Sequence, residues 1–217
     1  MMRDEAVKQA NNVIFEVLKK RIIELEMKPG DVINEKDLIV EFGVSRTPVR
    51  EALIKLSQID LVEIRPRVGT FVTQIDLATV KSAYEVKKNL EGLAAELAAK
   101  RATTEEILAL YDIIERFSKY DIVKDYKLCI EDDQNFHEII RKASRNEILI
   151  DVLDNLNTKT ARFLQSIQYV IENFEWFFES LQDIATAIKE KNTEEARKHT
   201  EEHTRRFLEE LSRNFFS

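Results

Sequence analysis

From Asp76 to the C-terminus, apolar residues recur at three-and-four spacing, and nowhere do they alternate strictly as in a strand. Successive stripes run over 77–102, 104–120, about 121–143, 146–171, 174–191 and 193–215. Amphipathic segments joined by short links bury their apolar faces against one another, so this part of the chain is expected to form an antiparallel all-α bundle. Four Gly and three Pro in 217 residues leave few places to turn. Thr103, with Glu106 three residues on, reads as a capping box opening the second of these helices.

Residues 1–75 have a different grammar. An amphipathic helix over 13–25 ends before Pro29-Gly30, and "NEKDLIVEFGVS" fits a short second helix with Gly43 as its turn. A third helix begins near Ser45, with Ser45 or Thr47 as its cap and Pro48 in its first turn, where a missing N–H costs little. "LVEIRPRVGTFVTQI" then alternates on both sides of a Pro/Gly tip, the pattern of a β-hairpin. The expected fold is mainly α: a winged helix-turn-helix over 1–75 followed by an all-α antiparallel helical bundle over 76–217.

At about 100° per residue, Val49, Ala52, Leu53 and Leu56 converge on the back of the third helix, whereas Arg46, Thr47 and Arg50 share its N-terminal edge. Arg65 and Arg67 stand at the hairpin tip. The first 75 residues hold 12 of the 33 Lys and Arg and 12 of the 40 Asp and Glu, so the whole net charge of −7 falls in the remainder. Such a balance excludes a general polyanion binder and confines any nucleic-acid contact to one surface. Arginine suits a base-reading edge because its planar fork bonds guanine O6 and N7 together. The plainer reading makes Arg46 and Arg50 surface charges paired with Glu51 and Asp60. One winged helix touches few bases, so a homodimer on a roughly palindromic double-stranded operator is expected.

The charged N-terminus has no apolar signal core, no stretch is long and apolar enough for a membrane span, and the single Cys129 cannot form an intramolecular disulfide. The expected location is therefore cytoplasmic. Within the bundle, Asp133 and His137 lie one turn apart on an inward line, as does His203 on the last helix. Buried polar groups of this kind need partners. A divalent metal on Asp133, His137 and His203 would satisfy all three. An Asp–His hydrogen-bonded pair with a separate core histidine is the other reading. A two-histidine, one-carboxylate iron enzyme and a protein-binding winged-helix adaptor are the rival functional classes.

The string "SRTPVREAL", preceded by "EFGV" and followed by "PRVGTFV", resembles the winged helix of GntR-type bacterial transcription regulators. The resemblance implies DNA contacts from Lys36, Ser45, Arg46, Thr47 and Arg50, with Arg67 and Gly69 in the wing. The second part resembles the helical effector domain (FCD-like) of the FadR-type branch, in which an Asp-x-x-x-His pair and two later histidines bind a metal beside a small carboxylate. That implies a non-enzymatic, ligand-responsive repressor with a metal of the zinc, nickel or manganese class on Asp133, His137 and His203. Two positions depart from the family pattern. Leu181 stands where the middle histidine is expected, with His199 as a candidate replacement, and Lys87 stands where an effector-binding arginine is usual.

Overall fold

The computed structural model describes residues 2–121, 124–167 and 174–215. The chain divides into two compact units, Met1–Asp76 and Leu77–Ser217, each with its own apolar core. Among the described residues no helix is long and apolar enough to cross a membrane.

The first unit comprises α1 (Met2–Ile23), β1 (Val32–Ile33), α2 (Glu35–Phe42), α3 (Arg46–Gln58), β2 (Val62–Arg65) and β3 (Gly69–Val72). The first helix stops at Ile23, short of the expected Leu25, because Leu25 takes a left-handed conformation at φ 61°. The hairpin of β2 and β3 is antiparallel with Arg65 opposite Gly69, and β1 adds to its other edge in the order β1-β3-β2. The strand β1 has no signature in the sequence, since two residues are too few to display an alternation. Gly43, left-handed at φ 62°, closes α2 by donating its N–H to Ile39 and Val40 carbonyls, turning the chain into α3. Val49, Ala52, Leu53 and Leu56 of α3 are buried with Ile14, Leu18 and Ile22 of α1, Leu38 of α2 and Val62 and Val72 of the sheet. Each large apolar side chain so buried contributes about 1.5–3 kcal/mol, which fixes the back of α3 and leaves its front edge in solvent.

The second unit is α4 (Leu77–Arg101), α5 (Thr104–Phe117), α6 (Tyr126–Ala143), α7 (Glu147–Ser166), α8 (Phe174–Lys189) and α9 (Thr193–Phe215). The capping box at Thr103 and Glu106 is complete in both directions. Several ends are shorter than the apolar stripes implied: α5 stops at Phe117, and α6 begins at Tyr126 with Asp125 before it. The expected continuation of α7 to Ile171 lies partly outside the described residues. Helix α4 runs through the middle, packed by α9, α7, α6 and α8. Its buried face is small, with Gly92, Ala94, Ala95, Ala98 and Ala99. At Gly92 a Cβ would come within 2.5 Å of Glu201 Cγ on α9, so this glycine serves close approach of two helices.

Candidate functional site

In the first unit Ser45 holds the N-cap of α3 in extended conformation without a side-chain capping bond, and Arg46, Thr47 and Arg50 are exposed on its first turns. Lys36 is exposed on the first turn of α2. The acid nearest the two arginines is Glu35, 4.0 Å from Arg46 Nε and 3.5 Å from Arg50 Nε, rather than Glu51 or Asp60. With both arginines 62% exposed, these pairs contribute little stability and leave the guanidinium groups able to reorient. Glu51 is engaged elsewhere: it accepts from Asn11 Nδ2 at 2.6 Å, while Lys55 Nζ donates to Asn11 and Asn12 at 2.8 and 2.6 Å. Thus Lys55 latches α3 to α1. Arg65 likewise pairs with Glu63 and lies 4.9 Å over the Phe71 ring. Arg67 sits at the hairpin tip in a left-handed conformation, φ 63°, in a turn closed by the Val68 N–H donating to the Arg65 carbonyl. Gly69 follows at φ 151°, a value that strains other residues.

In the second unit α6 and α9 bring Asp133, His137 and His203 together, each offering a ligand atom within 4.8 Å of the others. Asp133 Oδ1 lies 3.6 Å from His137 Nε2 and 3.9 Å from His203 Nε2. Both separations are too long for hydrogen bonds, so the Asp–His hydrogen-bonded pair is not what these residues form. Asp133 Oδ1 is buried with no hydrogen-bond partner among the described residues. His203 Nδ1 is 2.7 Å from Ser180 Oγ, whose single hydroxyl hydrogen is directed at the Phe177 carbonyl, also 2.7 Å away. When the Ser180 hydroxyl donates to Phe177 it accepts from His203 Nδ1–H, the tautomer that turns the Nε2 lone pair toward Asp133. A carboxylate oxygen facing an imidazole lone pair requires a proton or a cation between them. Burial raises the Asp133 carboxyl to about 7, and burial with Lys87 and Arg141 nearby lowers His137 to about 3. Burial, with His137 close by, likewise holds His203 well below its ordinary value. One carboxylate and two neutral imidazoles form a donor set that a zinc-type ion accepts.

The cavity beside this cluster encloses about 30 Å³ and is lined by, among others, Tyr84, Lys87, Gln134 and Asn157. Lys87 Nζ donates to Asn157 Oδ1 at 2.9 Å and is 3.4 Å from Thr160 Oγ1. Burial lowers its pKa. Leu181 is fully buried in the apolar core and does not line the cavity, so α8 supplies Ser180 behind His203 and no ligand of its own. His199, the candidate replacement for the missing histidine, instead stands as a partly exposed surface histidine facing Glu195 at 3.2 Å and Asp183 at 4.0 Å, outside the cluster.

Several residues here were invisible to sequence reasoning. Glu91 is 1% exposed, pairs with Arg141 at 3.2 Å and presents its other oxygen 3.8 Å from His137 Nδ1. Arg141 is 3% exposed and also reaches Asp154 at 3.4 Å. At 3.8 Å this contact is too long for a hydrogen bond, so Glu91 places a negative charge behind His137 without fixing its tautomer. Glu91 lies one turn after Lys87, and that spacing is the one signal that could have found it.

Residues 82–206 match the description "FCD domain", and residues 10–72 match "Bacterial regulatory proteins, gntR family". The HTH-type transcriptional repressor RspR of Escherichia coli (strain K12) is 30% identical over 70% of this chain and 67% of its own length. The HTH-type transcriptional regulator YdhC of Bacillus subtilis (strain 168) is 32% identical over 91% of this chain and 88% of its own. Among solved structures, E. coli McbR/YncC aligns with a TM-score of 0.80 at 22% identity over 95% of this chain and 98% of that one, a likeness of fold. These families and relatives are regulators of transcription rather than enzymes. With its winged helix-turn-helix followed by an FCD bundle, the chain belongs to the GntR family of bacterial DNA-binding transcription regulators.

Proposed function

We propose that this regulator is a repressor whose grip on a roughly palindromic operator is released by a small carboxylate effector bound in the FCD bundle. The carrying observation is the buried Asp133 oxygen without a hydrogen-bond partner among the described residues, beside a cavity lined by Lys87. A bundle selected for stability alone has no reason to retain such a group, because burying it unpaired is costly. The chain's similarity to RspR, named a repressor, supports the direction of the response. Lys36, Ser45, Arg46, Thr47 and Arg50 read the operator with Arg67 and Gly69 of the wing, and two copies of the chain engage the two half-sites. The domain boundary follows the same division of labour, with 1–75 for DNA and 76–217 for effector binding and dimerisation.

Asp133, His137 and His203 would hold a divalent metal, which supplies a positive centre for an oxygen of the effector. The chain's own part is to position that centre: Ser180 holds His203 through its Nδ1, and the Glu91 carboxylate lies behind His137. Ligand and operator are coupled only through the difference in ligand affinity between DNA-competent and DNA-incompetent forms, typically about 1–3 kcal/mol.

Selection of bound fragments from random duplexes, followed by a screen of small acids for release, tests this reading. Enriched fragments should carry two inverted half-sites about one helical turn or a multiple apart, and one class of acid should lower affinity about 5- to 150-fold. Failure to retain any duplex at low ionic strength would overturn the regulator reading; retention unaffected by every acid would overturn the effector. For the metal, a chelator should lower the melting temperature and His203→Ala should remove that sensitivity.

A further inference from the structure

The metal-facing side of the cavity accounts for Asp133, His137 and His203 but not for the Gln134 amide, nor for the second oxygen of Glu91, which lies 3.8 Å from His137 Nδ1. Gln134, which follows Asp133 on α6, lines the cavity, and its Nε2 is buried with no acceptor among the described residues. A carboxamide nitrogen carries two donors, and a folded interior rarely leaves a buried donor unmet without a reason. Lys87 on α4 lines the same cavity. Its ammonium carries three N–H groups; one donates to Asn157 and a second is directed at Thr160, which leaves a third. The cavity therefore has one donor without an acceptor among the described residues, Gln134 Nε2, beside the Lys87 ammonium, which also lies 5.3 Å from the Tyr84 ring centroid. Its volume of about 30 Å³ is small, so it suits a compact polar head group.

We propose that Gln134 is a specificity-determining residue of this pocket: its side-chain amide and the remaining Lys87 N–H each take one oxygen of the effector's carboxylate. The inference rests on the reading of the cavity as an acid-binding site. Lysine alone is a point charge and cannot grip both oxygens as an arginine fork does; Gln134 supplies the second point of contact. Two donors facing the ligand also set its chemistry. A carboxylate offers an acceptor to each, whereas a carboxamide of the same shape turns its own N–H groups against one of them, a mismatch that leaves buried donors unpaired.

Binding of formate, acetate, glycolate and acetamide to the full-length protein would be followed by calorimetry and by Trp176 fluorescence, the ring centroid of Trp176 lying 6.0 Å from that of His203. The unsubstituted protein should bind at least one of the acids and prefer acetate to acetamide by about tenfold or more. Gln134→Met, which keeps length but has no donor, should weaken the acid about tenfold. Gln134→Glu, which keeps shape and adds a negative charge, should abolish binding. Zinc affinity should be unchanged in the Met variant, because Asp133, His137 and His203 are intact. An unsubstituted protein that binds none of the acids overturns the acid-pocket reading and this inference with it. Acid binding that is equal with Gln134 or Met at this position overturns the inference alone. Should neither variant fold, equal affinity of the unsubstituted protein for acetate and acetamide overturns it without them.

Discussion

The Asp133 carboxyl and the two histidines are pushed in opposite directions by the same burial, and this makes metal binding at this site dependent on pH. With its pKa raised to about 7, Asp133 holds a proton below neutrality, and that proton must leave before a metal can bind. His137, lowered to about 3, is already deprotonated and costs nothing. Zinc affinity is therefore expected to rise about tenfold per pH unit up to pH 7 and to level off above it; calorimetry at pH 6.0, 6.5 and 7.5 in buffers of different ionisation enthalpy would also count the proton released. The signs for stability of the metal-free protein follow separately. An acid whose folded pKa is raised stabilises the fold at low pH and loses that contribution as pH climbs from about 4 to 7. A histidine whose folded pKa is lowered does the reverse, withdrawing stability as pH falls below about 6.5. Two such histidines oppose one such aspartate, so metal-free stability should increase from about pH 4 to 6.5. A melting temperature that fell steadily across this range would show that the histidines are not held neutral.

At the scale of elements, the wing and the α4–α9 contact each rest on one unusual backbone position. Arg67 is left-handed without being glycine, which costs about 1 kcal/mol, and Arg67→Gly would remove that cost while adding about 0.5–1 kcal/mol of chain entropy to be lost on folding. The melting temperature should therefore change little while duplex affinity drops, and a loss of both would mean that the Arg67 side chain also holds the wing. Gly92 allows α4 to meet α9 at Glu201, so Gly92→Ala should cost about 1–3 kcal/mol of overpacking, less up to about 1 kcal/mol of gained helix propensity. Because α4 carries Lys87 and α9 carries His203, zinc affinity should fall along with the melting temperature. Helices of this kind were legible in the sequence because a buried face repeats every three or four residues over many turns, and the i, i+4 spacing of Asp133 and His137 survived directly into the cluster. The two-residue β1 was not legible, since it exists through pairing with β3. Glu91, Gln134 and Arg141 read as ordinary helix-surface polar residues, for only the convergence of four helices turns their faces inward. His199 stands outside the cluster for a related reason, as one turn on α9 carries a side chain from the cavity to a solvated edge beside Glu195.

For the whole molecule the arithmetic of charge decides how DNA is bound. All seven net negative charges lie beyond residue 75, so the chain has no general attraction for a polyanion and its affinity must come from a few cations at one surface. Lys55, tied to Asn11 and Asn12 of α1, subtracts one from the five cations of residues 45–72. Arg50, exposed and within 3.5 Å of Glu35, is among those that remain. If Arg50 bonds a base edge, Arg50→Ala should cost about 1–3 kcal/mol on the specific operator, with little effect on random duplex, and the lost preference should fall on one base position. If it bonds phosphate, affinity should weaken alike for every sequence and the slope of log K against log salt should become shallower by about one. Binding measured on both duplexes from 50 to 200 mM salt separates the two, and an Arg50→Ala protein unchanged in affinity, preference and slope would remove α3's front edge from the interface at this position.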